Sequence, residues 1–102
     1  MSFHPVAKID ELDVGQSKIV QVGEKILAIF RCEDGYYALD DRCSHRGGPL
    51  SEGKLEGYEV TCPWHAGKFD VRTGKPSGGV VKVGQACYRI RVSEKNIEVD
   101  VP

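Results

Sequence analysis

Two short segments near the middle of this 102-residue chain each carry one thiol and one imidazole. They are Cys43-Ser44-His45 and, after sixteen intervening residues, Cys62-Pro63-Trp64-His65. If these four donors share one metal centre, the fold must bring the two segments together. From Asp40 to about Gly79 the sequence is dense in Gly, Pro, Ser and Asp and reads as loop, with short strand candidates at Tyr58–Thr61 and Lys68–Val71. A long loop region in a small protein is ordinarily functional or disordered, and one that carries most of the Cys and His is functional.

The flanks read as strands. Ser17–Val22 and Lys25–Phe30 are rich in β-branched and apolar residues, and Gly23-Glu24 between them suits a tight hairpin turn. Asp34-Gly35 is a second turn signal, leading into Tyr36–Leu39. Tyr88–Val92 and Ile97–Val101 alternate apolar with charged residues, as strands do with one face buried and one in water, and the polar stretch Ser93–Asn96 joins them. No amphipathic helical stretch of useful length is present. The pattern predicts an all-β fold, a small antiparallel sandwich or barrel, in a single domain spanning 1–102.

A net charge of −1, with no basic run, argues against nucleic-acid binding, which needs concentrated Lys and Arg. Met1-Ser2-Phe3-His4-Pro5 does not resemble a secretory leader, and the longest apolar run, Ile26–Phe30, is far below the ~20 residues that cross a bilayer. These features predict a soluble cytoplasmic protein without membrane association. In a reducing compartment its four cysteines serve as metal ligands or buried thiols rather than disulfides. Cys32 and Cys87, both in strand-like contexts, read as buried small apolar residues, and His4 as an ordinary exposed histidine.

Two Cys and two His can hold a structural zinc ion, and a zinc-stabilised binding module is one reading of this set. Zinc sites usually pair like with like at wider spacing, whereas here each segment contributes one of each. The segments Cys43-Ser44-His45-Arg46-Gly47-Gly48-Pro49-Leu50 and Cys62-Pro63-Trp64-His65-Ala66-Gly67 closely resemble the two loops of Rieske [2Fe–2S] proteins. The resemblance implies one [2Fe–2S] cluster, with Cys43 and Cys62 on one iron and His45 and His65 on the other. It further implies a β base carrying a cluster-binding subdomain, here at about 40–79.

Neighbouring residues refine the resemblance. Respiratory Rieske proteins carry an extra cysteine in each loop, joined by a disulfide; the matching positions here are Gly48 and Trp64, which cannot form it. Those proteins also place hydroxyl donors where this chain has Gly67 and Phe69, so the resemblance implies a low potential, on the order of −150 mV. Gly47, Gly48 and Gly67 suit close approach of backbone to sulfur. Arg46 reads as a solvated loop charge, and Trp64 as a shield for the cluster or an apolar docking contact. Pro76-Ser77-Gly78-Gly79 falls where the family has a third loop over the cluster.

Glu11-Leu12, Phe30-Arg31, Tyr37–Asp40 and Phe69–Gly74 extend the likeness over nearly the whole chain, to the free-standing Rieske ferredoxins. That family implies a non-enzymatic, monomeric carrier taking electrons from a flavin-containing, NAD(P)H-dependent ferredoxin reductase to a terminal oxygenase that hydroxylates aromatic rings. A small subunit of another oxidoreductase, such as a nitrite reductase, is the alternative within the family.

Overall fold

Four consecutive residues, Leu27 to Phe30, are wholly shielded from solvent. A strand achieves this only when both of its faces are covered, and the architecture follows from that requirement. The computed structural model describes residues 3–42, 48–64, 67–78 and 84–101. Cys43, His45, Arg46, Gly47, His65 and Gly79 therefore lie outside the described residues.

The buried run belongs to β3 (Lys25–Cys32), which sits inside a four-stranded antiparallel sheet with β2 (Ser17–Val22), β4 (Gly35–Asp40) and β9 (Cys87–Tyr88), in the order β2-β3-β4-β9. Because side chains alternate along a strand, β3 divides its residues between two cores. Leu27 and Ile29 join Leu12, Val20, Ala38, Ile97, Val99 and Val101 on one side. Ala28, Phe30 and Cys32 join Leu39, Leu50, Val60, Cys62, Phe69 and Val71 on the other.

The first core is closed by a three-stranded sheet of β1 (Phe3–Lys8), β11 (Asn96–Asp100) and β10 (Ile90–Ser93), in the order β1-β11-β10. The second is closed by a sheet of β5 (Lys54–Glu56), β6 (Glu59–Thr61), β7 (Lys68–Asp70) and β8 (Pro76–Gly78), each paired antiparallel with the next. The result is the expected all-β antiparallel fold, in three sheets among the described residues. Its helical elements among the described residues are two short 3-10 turns, Ile9–Glu11 and Leu50–Glu52. No helix among these residues is long and apolar enough to cross a membrane.

Local details refine the sequence reading. Gly23-Glu24 forms the β2–β3 turn, between the paired residues Val22 and Lys25, with Gly23 at φ 60°. The β3–β4 turn falls one residue earlier than expected, at Glu33-Asp34, because Cys32 pairs with Gly35. The strand anticipated over Tyr88–Val92 is broken at Arg89: Cys87–Tyr88 pairs with β4 in the central sheet, and Ile90–Ser93 pairs with β11 in the outer one. An alternating pattern does not reveal a change of sheet, since both halves keep an apolar face. Strands β1, β5 and β8 carry little β-branched sequence and were not anticipated; they form by pairing with stronger neighbours. Cys32 is buried as expected, but Cys87 is exposed. Among the described residues it sits in a two-residue strand at the edge of the central sheet, paired with β4.

A candidate metal centre between two loop roots

Each segment that carries expected ligands leaves the sheet through a closed root. At the first, Arg42 and Pro49 form an isolated antiparallel bridge, and the Leu50 N–H donates to the Asp41 carbonyl at 2.7 Å. The Asp41 side chain, only 3% exposed, accepts the Ser51 N–H at 2.8 Å, and its own N–H reaches Ile26 in β3. One buried residue, through its carboxylate and its backbone, thus joins the entry and exit of residues 43–48 to the central strand. The 3-10 turn that follows drives Leu50, fully buried, into the second core.

The second root is the β6–β7 hairpin. Thr61 pairs with Lys68, and the Cys62 N–H donates to the Gly67 carbonyl at 2.7 Å. Cys62 is 1% exposed and belongs to the second core, beside Val60 and Phe69. Its thiol faces the first loop: a Cβ placed on Gly48 would lie 2.8 Å from Cys62 Sγ and 3.0 Å from Cγ of Trp64. The two loops therefore meet where the spacing argument requires, and a glycine at 48 is what lets them. Gly48 and Trp64 face each other across this contact.

Of the four expected ligands, Cys62 can be placed, and it stands at this contact. Cys43, His45 and His65 fall outside the described residues, immediately beyond Arg42 and Trp64. Trp64 is 66% exposed, so the ring lies on the surface beside the loop contact. Pro76–Gly78, at the place where the family has a third loop over the cluster and this sequence departs from its pattern, forms strand β8 against β7. Phe69 is fully buried in the core.

Three polar residues at the roots escaped the sequence reading. Asp41 is one. Tyr88 donates its hydroxyl to Asp40 Oδ1 at 2.6 Å, and burial, reinforced by that carboxylate, pushes the phenol well above its ordinary value. Gln85, 7% exposed, donates its side-chain amide to the carbonyls of Asp40, at 2.8 Å, and of Arg42. No local pattern marks a glutamine that acts on residues more than forty positions away.

On the far side of the second core, Cys32 donates its thiol to the Gly57 carbonyl. Burial, with the nearby Asp34 carboxylate, pushes that thiol up to about 11, so it is inert at neutral pH. Arg72 grips Asp70 through two side-chain bonds and lies 4.1 Å over the Tyr58 ring. That guanidinium holds the Asp70 carboxyl below its usual range.

A buried thiol at the contact of two closed loops, next to a glycine that a Cβ would block, fits a cluster held between loops. Comparisons with known proteins agree. Residues 2–89 match the model of the Rieske [2Fe–2S] domain. The chain is 37% identical over 99 residues, covering 97% of it and 92% of the relative, to the anthranilate 1,2-dioxygenase ferredoxin subunit of Burkholderia cepacia. It is 47% identical over 93 residues, 87% of this chain and 79% of the relative, to the ferredoxin component of the p-cumate 2,3-dioxygenase system of Pseudomonas putida. In a solved complex of reduced oxygenase and oxidized ferredoxin of carbazole 1,9a-dioxygenase, one chain superposes with a TM-score of 0.90 at 34% identity, covering 95% of this chain and 91% of that one. A nitrite reductase small subunit shares the fold, at a TM-score of 0.82 but 17% identity.

Proposed function

This chain belongs to the Rieske [2Fe–2S] domain family, and on that premise we propose that it is the ferredoxin component of a ring-hydroxylating dioxygenase system. It carries one electron at a time from a flavin-containing, NAD(P)H-dependent reductase to a terminal oxygenase. The relatives at 37% and 47% identity bear such names, and a ferredoxin of the same fold has been solved together with its oxygenase. The family match sets the zinc reading aside. The likeness to a nitrite reductase subunit, at 17% identity, extends to the fold alone and gives no reason to prefer that partner.

We assign Cys43 and Cys62 to one iron and His45 and His65 to the other. When bound, the cluster supplies a reversible one-electron couple. The chain's own residues do the rest. Asp41 and the Arg42–Pro49 bridge close the first loop, the Cys62–Gly67 bond closes the second, and the core behind Cys62 excludes water from the thiolate side. Exposed Trp64, beside the loop contact, is left for docking. Residues 1–102 form one domain, with residues 40–79 as the cluster-binding part set into the β base. The carrier works as a cytoplasmic monomer and itself transforms no substrate.

The observation that carries this reading is the approach of Gly48 to Cys62 Sγ, which places a cysteine from one loop against the other. Reduced protein purified anaerobically should give a Rieske EPR signal with two irons per chain. Cys43→Ser, Cys62→Ser, His45→Ala and His65→Ala should each abolish or alter it, whereas His4→Ala should not. A colourless protein holding stoichiometric zinc would overturn the assignment.

A further inference from the structure

The carbonyls at the start of the first loop face away from its partner strand. In the Arg42–Pro49 bridge the ladder bond is made one residue out, from Leu50 N–H to Asp41 O. Arg42 is therefore in a non-hydrogen-bonded pair, and its own carbonyl points outward. Asp40, two residues earlier, presents the same edge: its N–H donates to the Ala86 carbonyl at 2.9 Å, and its carbonyl lies beside that N–H along the strand. Among the described residues the β9 ladder pairs Ala38 and Leu39, and the Ala86 carbonyl extends it to the Asp40 N–H.

Gln85 meets this edge with a side chain. A primary amide has two hydrogens, and here they go to the carbonyls of Asp40 and Arg42. The glutamine is itself fixed. Its N–H donates to the Gly74 carbonyl at 2.6 Å, and a Cβ on Gly74, at φ +78°, would overlap the Gln85 carbonyl. Gly74 closes the turn that follows β7, the strand that leaves the second loop, so Gln85 links the root of the first loop to the far end of that strand.

We propose that Gln85 is a positioning residue for the metal centre, holding the backbone at Asp40 and Arg42, the residues from which the chain leaves β4 toward Cys43. This rests on the assignment of Cys43 as a ligand. Groups that orient ligands set both metal retention and redox behaviour.

The test uses the holoprotein and two variants of similar volume. Gln85→Met removes both donors, and Gln85→Glu places acceptors against two carbonyls. Three quantities are read: the rate of iron release to a ferrous chelator, the g-values of the reduced cluster by EPR, and amide hydrogen exchange in β2–β4. Both variants should release iron at least tenfold faster and show shifted or broadened g-values, with exchange in β2–β4 unchanged. A variant that folds with normal β2–β4 exchange but retains no cluster also supports the proposal. Release within twofold of the unaltered protein with an unchanged spectrum would overturn it, and so would exchange that accelerates throughout β2–β4, since Gln85 would then be a general stabiliser. Cys43→Ser is the control for the underlying assignment: an unaltered Rieske spectrum there would sink the assignment, whatever Gln85 does.

Discussion

Gly48 stands so close to Cys62 that a single methyl group on it would come within 2.8 Å of Sγ. Non-bonded heavy atoms keep about 3.5–4.0 Å apart, and the sulfur has little freedom to retreat, being buried on a short side chain. The Trp64 ring blocks another direction at 3.0–3.1 Å. Gly48→Ala should therefore separate the loops, lowering stability by about 1–3 kcal/mol as overpacked sites do and reducing iron content. Denaturant titration of the holoprotein, with iron and sulfide analysis of the same sample, measures both. Full occupancy with unchanged stability would show that the contact is loose.

The two cysteines outside the expected ligand set should behave oppositely. Cys87 is exposed, while Cys32 is buried with its thiol pushed up to about 11. At pH 8 roughly 0.1% of such a thiol is ionised. Iodoacetamide should therefore modify Cys87 in native holoprotein and leave Cys32 untouched, as peptide mass mapping would show. The same shift has a consequence for stability. The unfolded thiol ionises near its ordinary value of 9.0 and the folded one near 11, so the folded state holds more protons between those values and stability falls as pH rises through that window. Cys32→Ala should flatten that part of the pH–stability curve.

Much of the fold was legible because β2 and β3 have a pattern that only buried strands need, and because the segments around Cys43 and Cys62 read as loops between strands. The hidden parts have physical reasons. Strand β8, Pro76–Gly78, has no β propensity and exists through its pairing with β7. The break at Arg89 leaves the apolar alternation intact while moving the chain from one sheet to another. Asp41 and Gln85 look like surface residues in sequence, yet both are buried because each satisfies backbone groups brought together by the folded chain. Cys87 shows the converse, a residue type usually buried that is left in water at a sheet edge.

The reduction potential should lie low among Rieske centres. Hydroxyl donors near a cluster stabilise its more negative reduced form. Gly67 offers only its backbone here, with its carbonyl accepting the Cys62 N–H, and Phe69 places a plain ring in the core beside Cys62. Neither brings a hydroxyl, so a potentiometric EPR titration should return a midpoint on the order of −150 mV. A value well above zero would mean that donors outside these two positions dominate.

Trp64 offers a way to separate docking from folding. With 66% of its surface exposed, it contributes little to the core, and Trp64→Ala should change stability by no more than about 0.5 kcal/mol. An exposed tryptophan next to the loop contact is, however, the kind of side chain that anchors a protein interface. If it meets the oxygenase, its removal should weaken the encounter on the order of tenfold. That loss should appear as a higher ferredoxin concentration at half-maximal turnover in a reconstituted reductase–ferredoxin–oxygenase assay. The potential and the EPR spectrum of the variant serve as controls, because a ring that only shields the cluster would shift those and leave the half-saturation concentration unchanged. Altered salt dependence alone, without loss of affinity, would instead place the docking energy in charged residues around Trp64.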